Sequence, residues 1–263
     1  NIALLVSSHV THTPTIVPCC QRWNRSTVRR CESEKTMTAQ KDVIVQEFDA
    51  VAPAYENNRL SEWYKAHAKE MLTVINPEAG SDVVDIGCGT GYFLRQLCEQ
   101  STGLQCTGVD ISAQMVHVAR EYARREDIEE ITYIEADWED MNLSQFGRGR
   151  PALITCANAF HYFADPRAAL EKMYQLLAED GRLLILERDK SHSLLTSVWA
   201  FLHDRLIRDH VIFYEEDELC RLLEAAGFAN IKIVKRIKRY FWKKKLFTSI
   251  VLLECHKSSK AQA

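Results

Sequence analysis

The sequence predicts an α/β fold in which a mostly parallel sheet carries helices on both faces. Five short apolar runs, rich in branched residues, alternate with stretches of helical period, the pattern of consecutive βα units. The first run, Asp82 to Ile86, ends in a glycine-rich turn that opens a helix. After the fifth run the pattern changes to one helix and two strands, Ile231 to Ile237 and Leu246 to Glu254, which read as an edge hairpin. A chain of 263 residues suits one such domain with added helices.

The first 36 residues differ in character from the remainder of the chain: they begin at Asn1, hold an adjacent Cys19-Cys20 pair and a basic stretch Arg22 to Arg30, and have no acid before Glu32. They read as a weakly structured extension before Met37, with an organellar transit segment as the alternative. Residues 37–257 read as a single domain, with helices in 40–75, a core in 81–190 and 215–255, a helical insertion at 191–214 and a frayed tail at 258–263. The first helix ends near Pro53, and the second runs from Ser61 to Ile75 before Asn76-Pro77 stops it.

Within the core, Asp82 to Ile86 is a buried parallel strand, and Phe93, Leu94, Leu97 and Cys98 mark one side of the helix after it. Gly87-Cys88-Gly89-Thr90-Gly91 joins the two, and its glycines can take positive φ and leave backbone bare to a ligand. The second strand, Leu104 to Val109, ends in Asp110, placed where a carboxylate can accept both hydroxyls of a ribose. Ser112 caps the following helix. The third strand, Ile131 to Glu135, leads to Asp137 and Trp138, a carboxylate and a backbone N–H suited to an adenine edge. The fourth, Ala152 to Cys156, ends in Asn158, His161 and Tyr162, which should face the ligand crevice at the strand carboxyl ends. Asp165-Pro166 starts the next helix, and Arg182 to Leu186 is the fifth strand.

Composition narrows the class of protein without naming a partner. A net charge of −3, with 46% hydrophobic and 26% charged residues, is ordinary for a globular domain. No apolar run approaches the roughly 18 residues that span a bilayer. Nine cysteines without C-x-x-C spacing read as reduced thiols of a cytoplasmic protein, and no metal site is expected. The stretch Lys232 to Lys245 holds eight Lys or Arg and no acid; it reads as a solvated strand face whose lysines guard an edge.

The glycine turn has G-x-G-x-G spacing with Asp85 two residues ahead, not the G-x-G-x-x-G of dinucleotide binders. Asp85-Ile-Gly-Cys-Gly-Thr-Gly91 resembles the glycine loop of class I S-adenosylmethionine-dependent methyltransferases, and the segment before it points to their small-molecule members, including the quinone-biosynthesis type. Phe48-Asp-Ala-Val-Ala-Pro-Ala-Tyr55 is similar to their N-terminal lid, and Leu176-Leu-Ala-Glu-Asp-Gly-Arg-Leu-Leu-Ile185 to their helix-Gly-strand junction. The resemblance covers roughly residues 40–255. It implies a Rossmann-like sheet of about seven strands with the last antiparallel. It further implies S-adenosylmethionine as cofactor and S-adenosylhomocysteine (SAH) as product. Gly87, Cys88, Gly89 and Gly91 would hold the cofactor by backbone, Asp110 would take its ribose, and Asp137 and Trp138 its adenine. Ile111 and Met115 would pack on the base, Asp85 and the Asn158 backbone carbonyl would meet the ammonium, and Tyr55 would lie over the cofactor. His161 is then the first candidate for a general base, with Tyr162, Glu187 and His192 behind it.

The acceptor expected from this reading is a small, fairly apolar molecule with an O, N, C or S nucleophile. Two other readings stay open at this point. One is an RNA, DNA or protein methyltransferase docking through 232–245, although Asn158-Ala-Phe-His161 lacks the prolines of the nucleobase-amino enzymes. The other is a binding module that keeps the nucleoside site without transfer. Oligomeric state is not legible in the sequence.

Overall fold

A computed structural model describes residues 41–57, 61–146, 149–189, 214–241 and 245–258. The expected extension before Met37, most of the insertion at 191–214, His192 and the tail beyond Ser258 lie outside the described residues.

Helix α1 (41–51) passes into a 3-10 segment, Ala52–Asn57, and α2 is Ser61–Leu72. The core continues with β1 (Asp82–Ile86), α3 (Tyr92–Gln100), β2 (Gln105–Asp110), α4 (Ala113–Arg125), β3 (Ile131–Glu135) and β4 (Leu153–Ala157). It ends with α5 (Pro166–Leu176), β5 (Arg182–Asp189), α6 (Glu216–Ala225), β6 (Phe228–Phe241) and β7 (Lys245–Lys257). The seven strands form one sheet in the order β3-β2-β1-β4-β5-β7-β6. β1 to β5 are parallel, and β7 runs antiparallel to both β5 and β6.

Alternation along each strand divides the core into two layers. Val84, Ile86, Ile154 and Ile185 face α5 and α6, where Leu170, Met173, Leu219 and Leu223 cover them. Val83, Leu153, Leu184 and Leu252 face α2, α3 and α4, against Met71, Leu94, Leu97 and Val116. The helix starts use the caps expected from the sequence. Ser112 Oγ accepts from the Met115 amide, and the Asp165 side chain accepts from Ala168 with Pro166 in the first turn. Glu215 and Glu218 form a reciprocal capping box on α6.

The hairpin corrects the expected boundaries. β7 lies between β5 and β6, so Ile250 to Leu253 is buried on both faces, and both strands are longer than the apolar runs suggested. Part of the basic stretch is used inside the domain: Lys235 pairs with Glu70 of α2 at 2.5 Å, and Arg236 with Glu216 of α6. Side chains beyond Ile237 on β6 lie outside the described ones. No helix among the described residues is long and apolar enough to cross a membrane.

Strand order reverses between β1 and β4, since β2 and β3 extend to one side of β1 while β4 and β5 extend to the other. In an open parallel sheet that reversal leaves a crevice at the carboxyl ends of the strands. The glycine turn after β1 and the Asn158 turn after β4 are its two walls.

Candidate functional site

A cavity of about 260 Å³ fills this crevice and is closed over by α1, the 3-10 segment and α2. Of the residues expected to form the site, Tyr55, Asp85, Gly87, Cys88, Gly89, Asp110, Ile111, Met115, Asp137, Trp138, Asn158, His161 and Tyr162 all line it. Gly91 does not; it is the N-cap of α3 at φ 74°.

The turn after β1 needs glycine at Gly87, Gly89 and Gly91, each of which has positive φ. Neighbours set different demands on them. A Cβ on Gly87 would overlap the Ala159 Cβ across the crevice, and one on Gly91 would overlap the Tyr133 ring, whereas one on Gly89 meets no protein atom within 4 Å. Gly89 thus leaves open space beside bare backbone in the cavity wall. Gly87→Ala should cost about 2–5 kcal/mol, from left-handed strain plus the overlap. Gly89→Ala should cost only about 1–2 kcal/mol of backbone strain. Urea unfolding of the two variants checks the difference.

Three carboxylates stand at the ends of three neighbouring strands. Asp85, one residue before the end of β1, is almost fully buried, and Thr155 Oγ1, its register partner on β4, donates to Oδ1 at 2.6 Å. Burial lifts this carboxyl to about 7, with Thr155 opposing the shift and the Asp110 charge adding to it. Asp110 closes β2. Its Oδ2 accepts from Gly89 N–H at 2.8 Å and its Oδ1 from Ser112 N–H at 2.9 Å. Burial raises this carboxyl too, against the pull of those two donors. Each oxygen still has a lone pair for a second donor, so vicinal hydroxyls can bind across the carboxylate.

Asp137, after β3, accepts from Glu139 N–H at 2.9 Å and from Lys41 Nζ at 2.5 Å. Lys41 also meets Glu139 at 3.1 Å, and these ion pairs outweigh its burial and hold its ammonium above the ordinary value. Trp138 turns its ring into the core, where Nε1 donates to the Ala169 carbonyl at 3.2 Å. Asn158, at φ 54°, binds Leu186 O through its amide, and its buried Oδ1 has no hydrogen-bond partner. An unpaired buried acceptor in a cavity wall is costly and suits a donor on a ligand.

On the far side of the crevice His161 and Glu187 form a buried pair, with Nδ1 2.9 Å from both carboxylate oxygens. Glu187 also accepts from the Arg188 amide at 2.8 Å. The carboxylate fixes the ring so that Nδ1 carries the hydrogen, and Nε2 is left as the acceptor. Tyr162 packs on His161 at 4.1 Å between ring centroids, and burial pushes its phenol up to about 12. It therefore stays protonated near neutral pH and is a poor base. Glu187, expected as a further base, serves instead as the partner of His161. Cys88 has its thiol raised well above normal by burial, which holds it in the protonated form.

The lid is tied down by polar contacts that local sequence pattern does not reveal. Asp49 accepts from Ser112 Oγ at 2.5 Å and from the Gln114 amide at 3.2 Å. Glu56 pairs with Arg95 at 2.9 Å and accepts from Thr90 Oγ1 at 2.7 Å. Above the cavity Tyr55 stacks on Tyr64 at 4.7 Å, and Phe48 meets Tyr162 edge-on at 5.5 Å. Lys41, Thr90 and Arg188 are further lining residues that the motifs do not single out. No group of three or more potential metal ligands occurs among the described residues.

A family model described as "Methyltransferase domain" matches residues 55–233. Demethylmenaquinone methyltransferase of Bacteroides fragilis is 32% identical over 148 residues, covering 55% of this chain and 59% of that protein. Ubiquinone biosynthesis O-methyltransferase of Aeromonas salmonicida is 26% identical over 157 residues, 56% of this chain and 63% of that one. The chain thus spans about three fifths of the length of these relatives. Among solved structures, magnesium protoporphyrin IX methyltransferase from Synechocystis PCC 6803 with bound SAH superposes with a TM-score of 0.64. It is 17% identical, with 83% of this chain and 100% of that chain covered, a likeness of fold.

Proposed function

This chain belongs to the methyltransferase-domain family, and from that premise we propose that it transfers the methyl group of S-adenosylmethionine to a small, largely apolar acceptor. One observation carries the reading: Asp85, Asp110 and Asp137 stand at or within two residues of the carboxyl ends of three adjacent strands, around bare glycine backbone and all in one cavity. The residues fit the cofactor part by part. Asp110 offers both oxygens to the ribose diol, and Asp137 suits the adenine amino group. Asp85 and the unpaired Asn158 Oδ1 suit the methionine ammonium, while Ile111 and Met115 supply apolar contact for the base. Tyr55 closes the cavity from the lid.

When bound, the cofactor supplies a methyl group already activated by a cationic sulfur. The protein's task is then to orient the acceptor and exclude water. Phe48, Trp63 and Tyr162 make an enclosed aromatic wall on the side of β4 and β5, which favours a small molecule over a polymer. Where the nucleophile carries a proton, His161 Nε2 takes it while Glu187 stabilises the imidazolium. The relatives named for demethylmenaquinone and ubiquinone biosynthesis support an acceptor of this small, apolar class.

Titration calorimetry with SAH across pH 6–8.5 tests the reading. The ligand ammonium should bind the ionised form of Asp85, which the free protein reaches only near pH 7. Affinity should therefore rise about tenfold per pH unit below that value and level off above it. Asp85→Asn should flatten the profile and weaken binding at pH 8. Because the raised carboxyl keeps its proton in the folded state, stability without ligand should fall as pH rises from the ordinary carboxylate range through about 7. The same variant should remove that decline. Absence of SAH uptake at every pH would refute the proposal. Uptake without turnover over a panel of small acceptors would leave only a binding module.

A further inference from the structure

We propose that Arg188 is the anion-recognition residue of the acceptor half of the cavity, and that the methyl acceptor carries a carboxylate or phosphate group. This deepens the methyl-transfer reading and rests on it. Arg188 stands near the carboxyl end of β5, opposite Ile250 of β7, and lines the cavity. It lies on the other side of the β1/β4 reversal from Asp110 and Asp137, in the opposite half of the cavity from those two carboxylates.

What separates Arg188 from the other cations near the site is its lack of an anion. Lys41 meets Asp137, Glu139 and Asp140, and Arg95 is held by Glu56 and Glu126. Arg188 has no carboxylate within ion-pair distance among the described residues, and its Nε is buried without a hydrogen-bond partner. Of the two carboxylates beside it in sequence, Glu187 is occupied by His161 Nδ1 and by the Arg188 main-chain N–H, and Asp189 is fully buried with a partner other than Arg188. The phenols of Tyr55 and Tyr162 are both raised by burial, so neither supplies a negative charge. A half-buried guanidinium with an unsatisfied donor is expensive to maintain unless a ligand completes it.

The surroundings narrow the ligand further. The guanidinium lies over the Trp63 ring, 5.1 Å from its centroid, which leaves its edge donors for an oxyanion. Trp63, Phe48 and Tyr162 offer ring faces and edges to a flat apolar body. An aromatic acceptor with an anionic oxygen group meets both demands, its nucleophile being presented toward His161.

The test uses the 263-residue chain saturated with SAH and three probes of one shape: benzoate, phenyl phosphate and neutral benzamide. Calorimetry, with quenching of tryptophan fluorescence as a second readout, should find benzoate or phenyl phosphate bound about tenfold or more tighter than benzamide. Which anion wins distinguishes a carboxylate from a phosphate acceptor. Arg188→Met should abolish the preference and Arg188→Lys restore part of it, with SAH affinity retained in both. Equal binding of all three probes, a preference that survives Arg188→Met, or no probe binding to a chain that takes up SAH would each overturn the proposal. Failure to take up SAH would instead refute the methyl-transfer reading, and this proposal with it.

Discussion

On the proposed reading, Asp110→Ala should lower the affinity for SAH by about 10²- to 10⁴-fold, because two charge-assisted hydrogen bonds to the ribose diol would be lost together. The loss has a second component. Asp110 holds the Gly89 and Ser112 amides at 2.8 and 2.9 Å, so its removal also frees the glycine turn and the start of α4. Asp110→Asn separates the two. An amide keeps one acceptor oxygen but turns an NH₂ group toward one of the two main-chain donors, so it should bind SAH little better than alanine does. Calorimetry at pH 8, where Asp85 is ionised, gives the cleanest comparison. Denaturant midpoints should move far less than affinity, since deletion relieves a buried charge while stranding two donors. An Asp110→Ala affinity within about threefold of wild type, under 1 kcal/mol, would remove this carboxylate from the site.

These carboxylates could be read from the sequence because each lies within two residues of the carboxyl end of its strand. A parallel strand buried on both faces is a continuous apolar run, so β1 and β3 stand out with their exact bounds and β2 and β4 shift by one residue. The first or second residue after such a run falls at the crevice by geometry alone, which places Asp110, Asp137 and Asn158 without any tertiary information. The family resemblance drawn from the glycine turn was borne out by the match over residues 55–233. Long-range approach was not legible. Nothing near Lys41 says that its ammonium crosses to Asp137, and a lysine on a helix ordinarily reads as solvated. Arg188 escapes a sequence reading because it falls between two acids at the end of the fifth strand, Glu187-Arg188-Asp189, where an arginine reads as an ordinary paired charge. The place of β7 between β5 and β6 is likewise a matter of pairing, to which local pattern is blind. His161 is found by position, but the role of Glu187 depends on a contact across 26 residues.

The ion pair between Glu56 and Arg95 is the contact most able to couple stability to binding. Arg95 is 2% exposed and Glu56 8%. The guanidinium meets both Glu56 oxygens at 2.9 and 3.0 Å, the Thr90 carbonyl at 2.6 Å and Glu126 at 2.8 Å. Arg95→Met strands Glu56 with Thr90 Oγ1 as its remaining side-chain donor and leaves the Thr90 carbonyl without this partner. Breaking a buried pair from one side costs about 3–5 kcal/mol, and a loss of that size is expected in urea unfolding. Glu56→Gln should cost less, about 1–3 kcal/mol, because Arg95 keeps Glu126 and the Thr90 carbonyl. The double variant should fall short of the sum by about 0.5–3 kcal/mol, the signature of one shared interaction. Arg95 does not line the cavity, yet Glu56 comes directly after Tyr55 in the segment that covers it, and Thr90 belongs to the glycine turn. Loosening the pair should thus reduce the fraction of molecules with the lid seated and weaken SAH in the same proportion. Affinity unchanged in Arg95→Met, alongside the full loss of stability, would confine the pair to holding the fold and detach the lid from binding.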